Sequence, residues 1–233
     1  MSAALPWLPQ GTVYGALLNF RREWDLWAPQ MTEAPYKAAP QAPVLYIKTA
    51  NTFAPCGAAI AVPDEVDVGA TLGLVIGGFE EKLPPALAES AQAATKKEAG
   101  GLHRIAGCVL LNDLSLPHAS YYRPPIKFRN RDGFLGCGPV LQAVPDLSTL
   151  ALELRINGTL AQRIELSTLV RDAATLLRDV SEFMTLQAGD VLMLGTDCLP
   201  DGTRPRAKAG DRIEISAPGF APLVHTLVEE KAT

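Results

Sequence analysis

A strong excess of either sign of charge is missing from this sequence. Of 233 residues, 21 are basic and 25 acidic, for a net charge of −4. The two signs are interspersed, so there is no basic face for nucleic acid. Long apolar runs are missing as well, and nothing approaches the length of a membrane-spanning helix. Met1 to Pro6 lack a basic stretch followed by an apolar one, so no secretory signal is read and a cytoplasmic location is expected. The four cysteines, Cys56, Cys108, Cys137 and Cys198, are widely spaced without a C-x-x-C pair. Reduced thiols are the expectation, with neither a zinc site nor a disulfide framework indicated. The three histidines, His103, His118 and His225, show no H-E-x-x-H spacing, which removes the zinc-protease pattern.

What is present is apolar residue and punctuation. At 48% hydrophobic content, the chain can bury the core of one domain. Gly and Pro occur 19 times each, and the runs between them are short and rich in Val, Leu and Ile. That pattern predicts a mainly β fold with peripheral helices, an α+β class. Strands are expected at Val13–Asn19, Val44–Lys48, Thr71–Ile76, Ile105–Leu111 and Asp190–Thr196. Asp211–Ala217 reads as an edge strand. Leu152–Ile156 and Leu160–Ile164 flank Asn157-Gly158, a type I′ hairpin turn. Phe20–Gln30 suits a short helix or a lid. A helix is expected over Pro84–Gly100, and another within Leu166–Leu186, capped by Ser167 or Thr168. Residues 1–43 form an N-terminal strand, lid-like segment and connector, and 44–233 the catalytic-type domain, all in one globular unit.

A further signal is one of order. Ile105-Ala106-Gly107-Cys108-Val109-Leu110-Leu111-Asn112-Asp113 is followed by the Leu152–Gly158 hairpin, then by Met184–Thr196 and Ala209–Ile215. Together these resemble the fumarylacetoacetate hydrolase family across Gly11–Glu229. Pro35–Ala38, Tyr121–Lys127, Arg131–Phe134 and Ser181–Phe183 are similar to one branch of it. That branch comprises the isomerase/decarboxylases of homoprotocatechuate (4-hydroxyphenylacetate) degradation, and the likeness is to their first half. The resemblance implies a coiled, mixed β-roll. It implies small di- and tricarboxylate substrates, 5-oxopent-3-ene-1,2,5-tricarboxylate and 2-hydroxyhepta-2,4-diene-1,7-dioate. It also implies a homo-oligomer, or a hetero-oligomer with a second homologous subunit, with no nucleic acid and no membrane.

The family holds Mg²⁺ or Mn²⁺ with two glutamates of an E-x-E strand and the aspartate of Asn-Asp. A hard cation needs such oxygens, and alternate strand residues share a face. Asp113 is present, but Gly69 and Thr71 stand in the glutamate places. The metal is therefore expected to be weak or absent in this chain alone, and a Gly69→Glu, Thr71→Glu pair to raise affinity. The family's His-Glu dyad falls on Glu23 and Leu26; Glu23 or Asp25 could serve as a carboxylate base, and the favoured reading is a solvated helix face. Arg129 takes the place of a substrate lysine and keeps the charge without its ability to shuttle a proton. The resemblance makes Arg129, Lys127 and Thr196 the catalytic candidates, and Arg123, Arg129 and Thr196 the substrate-binding ones. Asp197 replaces the proline after Thr196, where an inward carboxylate would repel an anion. His118 lies five residues past Asp113 and reads either as a cleft residue or as a satisfied surface histidine. Alternatives to an active subunit are a silent structural subunit supporting an E-x-E-bearing partner, and a carboxylate-binding module.

Overall fold

The computed structural model describes residues 6–77, 105–118 and 125–231. The helix expected over Pro84–Gly100 lies outside the described residues. Strands β1 (Val13–Leu17) and β2 (Val44–Lys48) follow the expected positions, with helix α1 (Arg21–Trp27) between them. Two short strands, β3 (Phe53–Ala54) and β4 (Ala59–Val62), lead to the long pair β5 (Val66–Ile76) and β6 (Ile105–Ser115). Then come helix α2 (Ile126–Arg129), β7 (Leu135–Cys137), β8 (Ala151–Ile156) and β9 (Thr159–Glu165). Helix α3 (Ala173–Ser181) precedes β10 (Val191–Met193), β11 (Arg206–Ala207), β12 (Arg212–Ser216) and β13 (Leu223–Glu229).

The larger sheet runs β2-β1-β10-β5-β6-β7-β3, with β11 on the free stretch of β5, and the smaller runs β4-β13-β12-β8-β9. β1 is bonded to β2 on one side and β10 on the other, so the N-terminal strand is woven into the sheet that carries Asp113. β12 lies between β13 and β8 and is not an edge strand. Its alternation has another cause: Ile213 and Ile215 are buried while Arg212, Glu214 and Ser216 are not, as in any strand with one solvated face.

The larger sheet is curled. Three strands separate β2 from β6 in the hydrogen-bonding order. In a flat sheet that spacing is roughly 19 Å. Yet Lys48 Nζ of β2 donates to Leu114 O of β6 at 3.1 Å. The curl produces two cores by period-two alternation. Its inner face packs Val13, Leu17, Tyr46, Val75, Leu111 and Met193. Its outer face packs Leu72, Leu74, Leu110 and Leu192 with Leu152, Leu154, Ile213 and Ile215 of the smaller sheet. Each such buried leucine contributes roughly 1.5–3 kcal/mol relative to exposure.

Local chemistry sets the element ends. Asn157 (φ 51°) and Gly158 (φ 81°) make the expected hairpin turn. Ser167 and Thr168 do not cap α3; they form a single 3₁₀ turn after β9. Asp172 is the cap, its carboxylate accepting from Thr175 N at 2.8 Å. A carboxylate there also meets the positive end of the helix dipole. Among the described residues no helix is long and apolar enough to cross a membrane.

Candidate functional site

Asp113 sits near the end of β6, on the inner face of the curl, opposite Gly69 of β5. Its carboxylate is buried and closely held. Lys48 Nζ lies 2.9 Å from Oδ1, and Arg129 Nη1 lies 2.9 Å from Oδ2. The Tyr46 hydroxyl donates to Oδ2 as well. Lys48 Nζ also donates to the carbonyls of Leu114 and Arg129, at 3.1 and 2.5 Å. The Arg129 guanidinium stacks over the Tyr46 ring, 4.4 Å from its centroid. Tyr46 reaches this point by lying flat across Gly15 of β1, where any Cβ would overlap its ring.

The electrostatics follow from burial. Desolvation alone would push the Asp113 carboxyl up, but Lys48, Arg129 and the Tyr46 hydroxyl hold it below the ordinary carboxylate value. Burial lowers the Lys48 ammonium, with Asp113 opposing. Burial and the neighbouring Asp113 charge raise the Tyr46 phenol well above its ordinary value.

This floor does not suit a divalent cation. Among the described residues Asp113 is its one carboxylate, and both oxygens already face protonated groups. Among the described residues, no three His, Cys, Asp or Glu side chains stand together as a metal site. One of the glutamate places, Gly69, is closed as well as neutral. A Cβ on Gly69 would lie 2.6 Å from Thr196 Cγ2 and 2.9 Å from the Asp113 carbonyl. Restoring Glu there needs movement of β6 backbone or of Thr196, so the expected gain in affinity from the two glutamates does not follow from the geometry.

Beside the floor opens a cleft of about 460 Å³. Glu23, Leu26 and Trp27 of α1 form one wall, and Asp67, Pro117 and His118 another. The loop Cys198–Arg206 closes it. Arg204 bridges cleft and floor: it donates to Glu23 Oε1 and Thr196 Oγ1, each at 2.5 Å, and to Asp197 O at 3.0 Å. Glu23 is therefore no solvated helix residue. It is 3% exposed, and its second oxygen accepts from Leu18 N at 3.1 Å. The sequence pattern misleads here because α1 turns Glu23 inward toward an arginine 181 positions away.

Of the candidates from sequence, Asp113 and Arg129 come together, and Thr196 lies next to Gly69, the residue opposite Asp113, and accepts from Arg204. Arg129 is 3% exposed and does not line the cleft. Lys127 is exposed on α2, away from the Asp113 cluster. Arg123 lies outside the described residues. Arg131 turns outward to Glu230, at 2.6 and 2.7 Å. Arg129 and Arg131, two positions apart, thus serve different jobs. Asp197 is buried, and burial raises its carboxyl although Arg22 approaches to 3.4 Å. It does not line the cleft.

Sequence reasoning passed over Tyr46, Lys48 and Arg204. Lys48 had a readable signal: it follows Val44 and Tyr46 on the inward face of a strand, where a lysine needs a buried counter-charge. Arg204, in an irregular loop, had none.

Comparison with known proteins now adds to this geometry. Residues 12–228 match the model of the fumarylacetoacetate (FAA) hydrolase C-terminal family. The chain is 37% identical over 225 residues to the Escherichia coli 4-hydroxyphenylacetate degradation bifunctional isomerase/decarboxylase, covering 95% of this chain and 48% of that protein. It is 36% identical over 223 residues to the Salmonella dublin protein of the same description, again over 95% of this chain and 48% of the relative. The chain thus spans about half the length of these curated relatives. Among solved structures, the 5-carboxymethyl-2-hydroxymuconate delta-isomerase of Mycobacterium smegmatis superposes with a TM-score of 0.70 at 25% identity, covering 98% of this chain and 82% of that one.

Proposed function

The chain belongs to the fumarylacetoacetate hydrolase family, and from that premise we propose that it is one half of an isomerase/decarboxylase of 4-hydroxyphenylacetate breakdown. Its assembly would act on 5-oxopent-3-ene-1,2,5-tricarboxylate and 2-hydroxyhepta-2,4-diene-1,7-dioate. Support comes from 37% identity along 95% of the chain to proteins about twice its length.

One observation carries the division of roles. The single carboxylate of the floor is neutralised by Lys48 and Arg129, and the two positions beside it are Gly69 and Thr71. Loss of CO₂ from a carboxyl that is vinylogously β to an oxo group sends the electron pair of the broken C–C bond through the C=C into that oxo group. In a metal-dependent enzyme of this kind a chelated divalent ion receives that charge. The described residues offer no donor set for such an ion, so a partner half bearing the E-x-E glutamates carries the decarboxylation. The present half completes the assembly.

The test is Mg²⁺-dependent decarboxylation of the tricarboxylate by three samples: the chain alone, an E-x-E-bearing homologous subunit alone, and the two mixed. The expected result is no Mg²⁺-dependent turnover by the chain, and a mixed rate above that of the partner alone. Mg²⁺-dependent turnover by the chain itself overturns the division of roles. A mixture no faster than the partner removes the supporting role.

A further inference from the structure

His118 has no part in the floor described above, yet it lines the cleft. Its ring is fixed from two sides. It stacks on Phe128 at a centroid distance of 5.3 Å and an interplanar angle of 13°. Its Nδ1 lies 2.9 Å from Leu116 O and 3.2 Å from Ser115 Oγ, and that hydroxyl itself donates to Leu116 O at 2.9 Å. A carbonyl only accepts, so Nδ1 carries the proton, and the neutral ring keeps its lone pair on Nε2. Nε2 makes no hydrogen bond among the described residues. A tautomer locked by a backbone carbonyl, an oriented ring and, on a cleft wall, a basic nitrogen that no described residue engages are what a general base requires.

The surroundings favour the neutral form. Burial lowers the imidazole below its ordinary value of 6.5; the bond to Leu116 O opposes this, the charges of Arg129 and Arg204 add to it, and Asp67 opposes it. Glu23 and Arg206 also line the cleft, each paired with a charge of opposite sign. The fixed guanidinium of Arg204 offers positive charge to a developing oxyanion.

We propose that His118 is the proton-transfer residue of a metal-independent keto–enol site in this cleft, acting on an enolisable 2-oxo acid. The proposal goes beyond the preceding reading and takes only its substrate class from it. In the keto-to-enol direction, Nε2 removes a proton from the carbon next to the oxo group. The C–H electron pair becomes the new C=C bond, and the carbonyl π pair moves onto oxygen. The imidazolium then returns the proton to that oxygen, so no oxidant, reductant or net proton is consumed. The reverse sequence ketonises an enol.

The experiment follows loss of the dienol absorption of 2-hydroxyhepta-2,4-diene-1,7-dioate with the purified full chain in excess EDTA. The expected result is a rate above buffer, unchanged by EDTA and falling at acid pH with an inflection below 6.5. His118→Gln should lower kcat by about 10²–10⁴-fold with KM little changed. His118→Gly should regain rate on addition of imidazole, a response that a structural role would not give. Circular dichroism confirms that both variants are folded. No rate above buffer, loss of rate in EDTA, or full rate in His118→Gln each overturns the proposal. The mixing experiment above reads decarboxylation in Mg²⁺, so the two ideas fail separately.

Discussion

Tyr46 shows how far one side chain can organise this site. It crosses Gly15, supports the Arg129 guanidinium and donates to Asp113. Tyr46→Phe keeps the ring and removes the donor. The loss should be about 1.5–3 kcal/mol, the usual range for a hydrogen bond to a charged group, read as a shift of the urea midpoint. Lys48→Met goes further, because it leaves a buried carboxylate short of one counter-charge; about 3–5 kcal/mol is expected. A smaller loss than that of Tyr46→Phe would mean that water enters the cluster. Gly69→Glu with Thr71→Glu should lower the melting temperature and show no tight Mn²⁺ binding in calorimetry. Thr196 Cγ2 and the Asp113 carbonyl occupy the space the first of those side chains would need. Tight binding would show that β6 moves to admit it.

Single elements were legible where local chemistry decides them. Asn157-Gly158 fixes its hairpin because only positive φ at both places fits the twist of the strands. The heptad-like spacing of Leu176, Leu177 and Val180 locates α3. The cap was misread, since Ser167, Thr168 and Asp172 all present suitable oxygens. Chain direction chose among them: β9 runs on to Glu165, and the next residues are used in turning. Asp172→Ala should therefore destabilise by about 1 kcal/mol, while Ser167→Ala has a near-neutral effect, both measured by thermal melting. β12 was read as an edge because alternation was equated with position. The site followed the same rule. Asp113 and Arg129 could be placed from motif order, but Lys48 reaches Asp113 only because the sheet curls, and Glu23 meets an arginine 181 positions away. Curl is a property of many strands and leaves no local mark in the sequence.

At the scale of the whole molecule, acid is the natural probe. His225, 1% exposed between the sheets, is lowered from 6.5 by burial, with the hydrogen bond to Pro55 O opposing. His118 is lowered as well. Below 6.5 the unfolded chain takes up protons that the folded chain refuses, so stability falls as pH falls toward the folded values. Asp113, held below 3.8, adds a second loss of the same sign: its stabilisation is present above 3.8 and disappears as pH drops through its folded value. Urea midpoints across acid pH should thus decline in two stages. His225→Gln should flatten the first stage in part and leave the second. An unchanged first stage in that variant would place the uptake elsewhere.

The phenol at the centre of the floor also makes the chain an optical reporter. The sequence has five tyrosines. In alkaline solution an accessible tyrosine turns to phenolate near its ordinary value of 10, whereas Tyr46 is held neutral well above that by burial and by Asp113. A phenolate titration of the native protein should therefore stop short of the full tyrosine complement. The missing increment should arrive as a slow step, timed by the opening of the curled sheet, because the group cannot ionise until water reaches it. That delay would give the opening rate of the site floor in a spectrophotometer, with no label and no substrate.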